Sequence, residues 1–494
     1  MPIHWIALTI FTSVFAFVTA AGFVASRWHG GLRHKGAAIS LASLDEWGLG
    51  GRRFGTLVTW FLMGGDMYTA YTIIAVPALV YGIGGYGFFA IPYCILTFPL
   101  TLMVMPRTWR VCREHGFVTL ADFIRGATQS RPLSVAFALT GLLATMPYIA
   151  LQLVGMKVVL SAIGLQGESP LIVAFLVLAA YTYTSGLRAP ALIAVVKDVM
   201  LYVMVIAAVV VIPIKLGGYA AIFHAAAAAL AAHTPAGSLI IAPQQYWAFS
   251  TLAVGSTLAV MLYPHNLTGV LASGSERVIQ RNAALLPAYN VLLVLIALLG
   301  YMALAANIHA ATPNGVVPLL FLKMFPEWFA GFCLAAIGVG ALVPAAIMSI
   351  AAANLVTRNL IGDFRAVPLT HAQQAATAKV VSLLVKFGAL AFVLGLPATY
   401  AIQLQLLGGI WIVQMLPGFL SALYGWQLRP VALLLGWAAG MATGTAMAAS
   451  MHLKTAVYPL HLFGHTCAMY AAVPTLILNL AIAAVGSIGR KIER

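Results

Sequence analysis

Apolar stretches of about 20 residues follow one another along the whole chain, separated by short polar segments. Backbone placed in hydrocarbon must satisfy its own hydrogen bonds, so only helices and closed barrels cross a bilayer, and runs of this length select helices. Of the 494 residues, 62% are hydrophobic and 7% charged, where soluble domains carry about 25% charged residues. The expected fold class is an all-α polytopic membrane protein with about thirteen spans. In order, these are 3–26, 56–84, 86–106, 133–163, 170–187, 190–215, 246–269, 284–309, 327–357, 376–396, 398–424, 430–449 and 466–488.

The net charge of +15 reads as topology rather than nucleic-acid affinity. With the N-terminus outside, the cytoplasmic loops and span ends collect Arg27, Arg33, Lys35, Arg52, Arg53, Arg107, Arg110, Arg113, Arg125, Arg131, Arg188, Arg277, Arg281, Arg358, Arg365, Lys379 and Arg429. The tail adds Arg490, Lys491 and Arg494, while the opposite side holds little beyond Lys215, Lys323 and Lys454. This asymmetry predicts a multi-pass protein of a bacterial-type inner membrane, N-terminus outside and C-terminus cytoplasmic. Trp28, Trp109, Trp247, Trp328 and Trp426 fall near predicted helix ends, as interfacial rings do. Cys94, Cys112, Cys333 and Cys467 are dispersed, with neither metal-ligand nor disulfide spacing. Short helices are expected in the loops 111–131 and 218–245.

Two spans are interrupted. In TLVTWFLMGGDMYTAYTIIAVPALVYGIG (56–84), Gly64 and Gly65 weaken the helix and Asp66 follows them. A carboxylate at the bilayer centre costs roughly 2.5–3.5 kcal/mol, so unwound backbone lining a binding cavity is expected at this point. In STLAVMLYPHNLTGVL, Tyr263, Pro264, His265 and Asn266 break the second apolar run. The interrupted spans are the second and seventh, each the first of five. That arrangement predicts an inverted repeat with a site near the midplane. The expected division is 1–55, an extra helix and cytoplasmic loop; 56–217, the first repeat; 218–245, an external loop; 246–424, the second repeat; and 425–494, two further helices and a tail.

Apart from Asp66, the one acid within a span is Asp198, placed near the cytoplasmic part of span 6. Its neighbour Lys197 points about 100° away on a helix, so the two are not an automatic pair. Thr145, Tyr148 and Gln152 share one polar face of span 4, and Ser349 offers a hydroxyl in span 9. The absence of a Walker motif argues against ATP-driven pumping, and the pattern is that of a transporter rather than an enzyme.

DEWGLGGRRFG (45–55), the Asp66 break, YIALQLVGMKVVL (148–160), YTYTSGLRAPALIAVVKDV (181–199), Pro264–His265, ASGSERVIQRN (272–282) and AAIMSIAAANLVTRNL (345–360) occur in order. Together they resemble the sodium:solute symporter family, most of all its bacterial monocarboxylate transport permeases. The resemblance implies a LeuT-like 5+5 core and cation-coupled uptake of small monocarboxylates such as lactate or pyruvate. It places a cation, with Na+ possible, on backbone oxygens of Gly64 and Met67, the carbonyl of Ala346 and the hydroxyl of Ser349. The second hydroxyl of many members is Ile350 here, so Asp66 or Asp198 could compensate, or a proton carried by an acid or His265 could replace sodium. Both Na+ and H+ stay open. The solute would lie near Tyr68, Thr69, Tyr148, Gln152, Tyr263 and His265. No cofactor, nucleic acid or obligate protein partner is expected, only the bilayer and a small anionic organic solute. The alternatives are a sodium symporter for another amino or organic acid, and a membrane sensor built on the transport fold.

Overall fold

The computed structural model describes residues 2–27, 41–234, 236–395, 401–462 and 464–488; Trp28, Arg33, Lys35, Arg490, Lys491 and Arg494 lie outside them. The bundle helices run α1 Trp5–Val24, α2 Thr56–Met67, α3 Val76–Ile83, α4 Ala90–His115, α5 Arg131–Ile163, α6 Ser169–Ser185, α7 Arg188–Lys215 and α8 Tyr246–Val260. They continue as α9 Pro264–Ala272, α10 Pro287–Ala305, α11 Glu327–Leu355, α12 His371–Gly395, α13 Ala401–Ile412, α14 Leu416–Tyr424, α15 Pro430–Ser450 and α16 Ala472–Val485. The two expected connecting helices are present as Leu120–Thr128 and Tyr219–Ala231.

Among the described residues nine helices are long and apolar enough to cross a membrane, and two bent pairs raise the number to eleven. α6 and α16 stand where spans 5 and 13 are predicted but are shorter, at 17 and 14 residues. The start of the predicted last span is not helical. Val457–Leu462 (β1) pairs antiparallel with His465–Tyr470 (β2), in register from Val457↔Tyr470 to Leu462↔His465. Valine, tyrosine and threonine among polar neighbours suit a half-buried strand, and an apolar count alone does not distinguish that from a helix end. Tyr470 anchors the hairpin, its hydroxyl donating to Leu406 O at 2.6 Å and its N–H to Thr251 Oγ1 at 2.9 Å.

α11 is the core of the bundle. Every residue from Cys333 to Leu355 is buried, and the helix packs against α1, α5 and α7. Small side chains permit that closeness: a Cβ on Gly331 would stand 2.7 Å from the Ala7 backbone of α1. α5, its main neighbour, starts at Ser130, whose hydroxyl caps the Leu133 N–H, and ends at Gly164, whose φ of 101° suits only glycine.

The two bent pairs lie side by side. Phe54 N–H donates to Ala272 O at 3.1 Å and Gly274 N–H to Phe54 O at 2.9 Å, joining the start of α2 to the end of α9. Gly85 N–H donates to Ser238 O at 2.8 Å, tying the end of α3 to the segment before α8. Arginine-centred pairs knit one end of the bundle: Arg188 with Glu46 at 2.5 Å, Arg110 with Glu276 at 2.7 Å and Arg125 with Asp363 at 3.3 Å. Asp122 is the node of this end. It accepts from Val118 N–H at 3.0 Å and Asn359 Nδ2 at 2.8 Å, and pairs with Arg358 at 3.2 Å. Asp122→Ala leaves these donors unmet and is expected to cost about 2–4 kcal/mol, read as a lower midpoint in thermal unfolding of the purified protein.

Candidate functional site

The first break lies at Tyr68–Ala70, after the glycine pair rather than at it. α2 continues through Gly64, Gly65 and Asp66 to Met67; Tyr68 then leaves the helix at φ −92°, ψ 80°. A π turn over Tyr71–Ala75 leads into α3, with the halves bent by 48°. The glycines serve packing. A Cβ on Gly64 would stand 2.3 Å from the Tyr289 ring, and one on Gly65 would stand 2.9 Å from Lys197 Nζ. Gly64→Ala must push Tyr289 aside, at an expected cost of about 1–3 kcal/mol, measurable as a fall in thermal midpoint.

Backbone donors released at the break are taken by side chains, as burial demands. Thr69 N–H donates to Thr72 Oγ1 at 2.9 Å, and Ala70 N–H to Gln152 Oε1 of α5, also at 2.9 Å. The second break spans Met261–Tyr263, bends α8 against α9 by 49°, and is cut by Pro264 at the first turn of α9. Tyr263 is extended at ψ 135°, as a residue before proline must be, and Asn266 Nδ2 caps Val260 O at 3.0 Å.

The two breaks meet at Asp66 and His265. His265 Nε2 lies 3.6 Å from Asp66 Oδ2, beyond a hydrogen bond and within reach of an ion pair when the ring is protonated. Asp66 Oδ1 and His265 Nδ1 have no partner among the described residues. Asp66, Met67, Tyr148, His265 and Asn266 border a cavity of about 30 Å³, water-sized in this conformation.

Of the six residues expected around a solute, four gather between the breaks. Tyr148, Tyr263 and His265 form an aromatic cluster with centroids 5.2–5.5 Å apart, and Tyr148 hydrogen-bonds Thr69. The other two have different places. Tyr68 turns to α10, its ring 4.9 Å from that of Tyr289 and its hydroxyl bonded to the Tyr289 carbonyl. Gln152 holds the break's backbone.

The expected cation residues divide in the same way. Ala346 and Ser349 face each other on α11, where Ser349 Oγ donates to Ala346 O at 2.8 Å. Ser382 of α12 donates to Ser349 Oγ at 3.3 Å and itself receives Lys386 Nζ at 2.8 Å. Asp198 lies within α7. It is buried beside the first break with Lys197 Nζ 2.8 Å from its Oδ1, while the Tyr289 hydroxyl donates to Oδ2 at 2.7 Å. Adjacent positions do pair here, at the contact between α2 and α7. Lys197 Nζ also donates to Gly65 O at 2.6 Å and Tyr68 O at 3.2 Å. Tyr289 and Lys386 lie against expected site residues but are not singled out by the sequence, which marks Lys197 only as the neighbour of Asp198. A lysine in mid-span, four residues after a serine in VVSLLVKFGALAF, is a signal that could have found Lys386.

The sequence model of the sodium:solute symporter family matches residues 47–428, which include both breaks. The chain belongs to this family. The symporter is 52% identical over 486 residues to a monocarboxylate transport permease protein of Rhizobium johnstonii, across 98% of this chain and 96% of that one. It is 31% identical over 445 residues to an uncharacterized symporter, YodF, of Bacillus subtilis, across 88% and 86% of the two chains. Its fold matches a substrate-bound, outward-open Na+-coupled sialic acid symporter at TM-score 0.77 and 15% identity, over 98% of this chain and 97% of the other. The symporter is therefore a multi-pass membrane protein with the LeuT-like fold, and it couples a cation to the movement of a small solute.

Proposed function

We propose that this symporter takes up small monocarboxylates, lactate or pyruvate among them, across a bacterial inner membrane, with Na+ or H+ as the driving ion. The observation that carries the solute class is the 52% identity, spread over nearly both chains, to a monocarboxylate transport permease. The site supports it in kind. The first turn of α9, where Asn266 and Leu267 N–H donate to Tyr263 O, presents the positive end of the helix dipole between the breaks, beside Thr69, Tyr148, Tyr263 and His265. A small monoanion is held there by dipoles and hydroxyls, with Asp66 and His265 adjusting the local charge. The five-helix units 56–217 and 246–424 are the two inverted repeats, rocking about the breaks with the arginine-rich end in the cytoplasm. Uptake of labelled lactate and pyruvate into proteoliposomes, with sodium and proton gradients imposed separately, is expected to show concentrative accumulation. No accumulation of either acid under either gradient would refute the monocarboxylate reading.

A further inference from the structure

The cavity of about 30 Å³ at Asp66 and His265 has a wall that the breaks do not supply. Tyr93, Thr97 and Thr101 of α4 fall at i, i+4 and i+8, so one face of that helix lines it. None of the residues expected at the site from sequence lies on α4. Hydroxyls buried in the spans are commonly returned to their own helix. Thr97, Thr108, Thr140, Thr145 and Thr182 each donate to the carbonyl four residues earlier, at 2.6–2.9 Å. Thr101 does not. It is 5% exposed, and its hydroxyl has no partner among the described residues. Asp66 Oδ1 and His265 Nδ1, at the same cavity, are unpartnered as well. Burial penalises three unspent polar atoms around one water-sized space unless a ligand group or a water completes them. Met63, Met67, Phe98, Val260 and Leu286 finish the wall with apolar surface and offer no rival partner.

We propose that this cavity receives the 2-substituent of the solute, and that Thr101 is the residue by which the symporter prefers 2-hydroxy and 2-oxo monocarboxylates to acids with a plain methylene at that carbon. This rests on the monocarboxylate reading above. The space admits one polar group and not a whole acid, so the carboxylate stays between the breaks. Tyr148 and His265 border the cavity and also belong to the aromatic cluster, so a group on the carbon next to the carboxylate reaches it. A threonine hydroxyl gives one hydrogen bond and takes others, whereas an ionised carboxylate only takes. A 2-hydroxyl accepts from Thr101 and donates to Asp66 Oδ1; a 2-oxo group accepts from Thr101. A methylene does neither and leaves the Thr101 hydroxyl buried without a partner. A site built to hydrogen-bond a polar group rejects its apolar analogue in this way.

The test uses the full-length protein in proteoliposomes, with initial uptake of labelled lactate, pyruvate and propionate measured separately at one low concentration under the same imposed gradients. Propionate has the chain length of lactate and pyruvate and lacks only the 2-substituent. In the wild type, lactate and pyruvate are each expected to enter at least fivefold faster than propionate. Thr101→Val keeps the branched shape and removes the hydroxyl, and should bring both ratios to within twofold of one. Thr101→Ser keeps the hydroxyl and should hold them at threefold or more, an outcome that loss of packing alone would not produce. Thermal unfolding of each purified variant shows that folded proteins are being compared. A wild-type ratio near one, or wild-type ratios retained in folded Thr101→Val, overturns the proposal and leaves the monocarboxylate reading standing. Uptake of none of the three acids under either a sodium or a proton gradient removes that reading, and the proposal with it.

Discussion

Asp66→Asn is expected to abolish concentrative uptake while leaving insertion and folding intact. The substitution keeps the size and shape of the side chain and removes its charge. Asp66 joins the two broken helices through His265 Nε2 at 3.6 Å, and its second oxygen has no partner among the described residues. Asp66 is the carboxylate bordering the cavity, and a change of about 1.4 kcal/mol in an equilibrium its charge controls is already tenfold. If the carboxylate sets the charge of the cavity during the cycle, solute flux should fall by at least that factor while the thermal midpoint moves little. Accumulation at the wild-type level by a normally inserted Asp66→Asn protein would remove Asp66 from the mechanism.

Gln152→Leu should be the second large effect, and its cause is different. Gln152 Oε1 is the acceptor for the Ala70 N–H at the break, at 2.9 Å, and leucine keeps the volume while removing that acceptor. A buried donor left unmet costs about 1–3 kcal/mol, which is about five- to 150-fold in the population of the bent conformation. Two measurements bear on it. Initial uptake rate should fall within that range, and amide exchange in the peptide covering residues 66–75 should accelerate because the break opens more often. Gln152→Glu, which retains an acceptor oxygen, should recover part of the protection. Wild-type uptake and exchange in Gln152→Leu would mean that the break is held by something other than this contact.

The polytopic helical fold is legible in the amino-acid sequence because hydrocarbon leaves a chain so few choices. Length and apolarity alone mark the long spans. The second break was equally legible, since Pro264 cannot continue a helix and Tyr263 before it must extend. Gly64 and Gly65 mislead by the same local logic. Glycine weakens a helix, but it also admits neighbours, and only the packing of Tyr289 and Lys197 from α10 and α7 shows which use is made of it here. The hairpin of β1 and β2 was hidden for a related reason, because its apolar residues serve a half-buried strand as readily as a helix end.

At the site, sequence marks Asp66, His265 and Tyr148 as costly or unusual at membrane depth, and the structure brings them to one cavity. Sequence cannot state partners. Gln152 serving Ala70, Tyr68 turned onto Tyr289, and Lys197 bridging Asp198 to the carbonyls of the break all join residues tens to hundreds of positions apart. What a single chain of letters determines is which groups are too expensive to bury without purpose. Which of them meet, and so which can exchange an ion or hold a solute, depends on how the helices are arranged against α11. That arrangement is decided by close packing of small residues over long sequence distances, which no local pattern encodes.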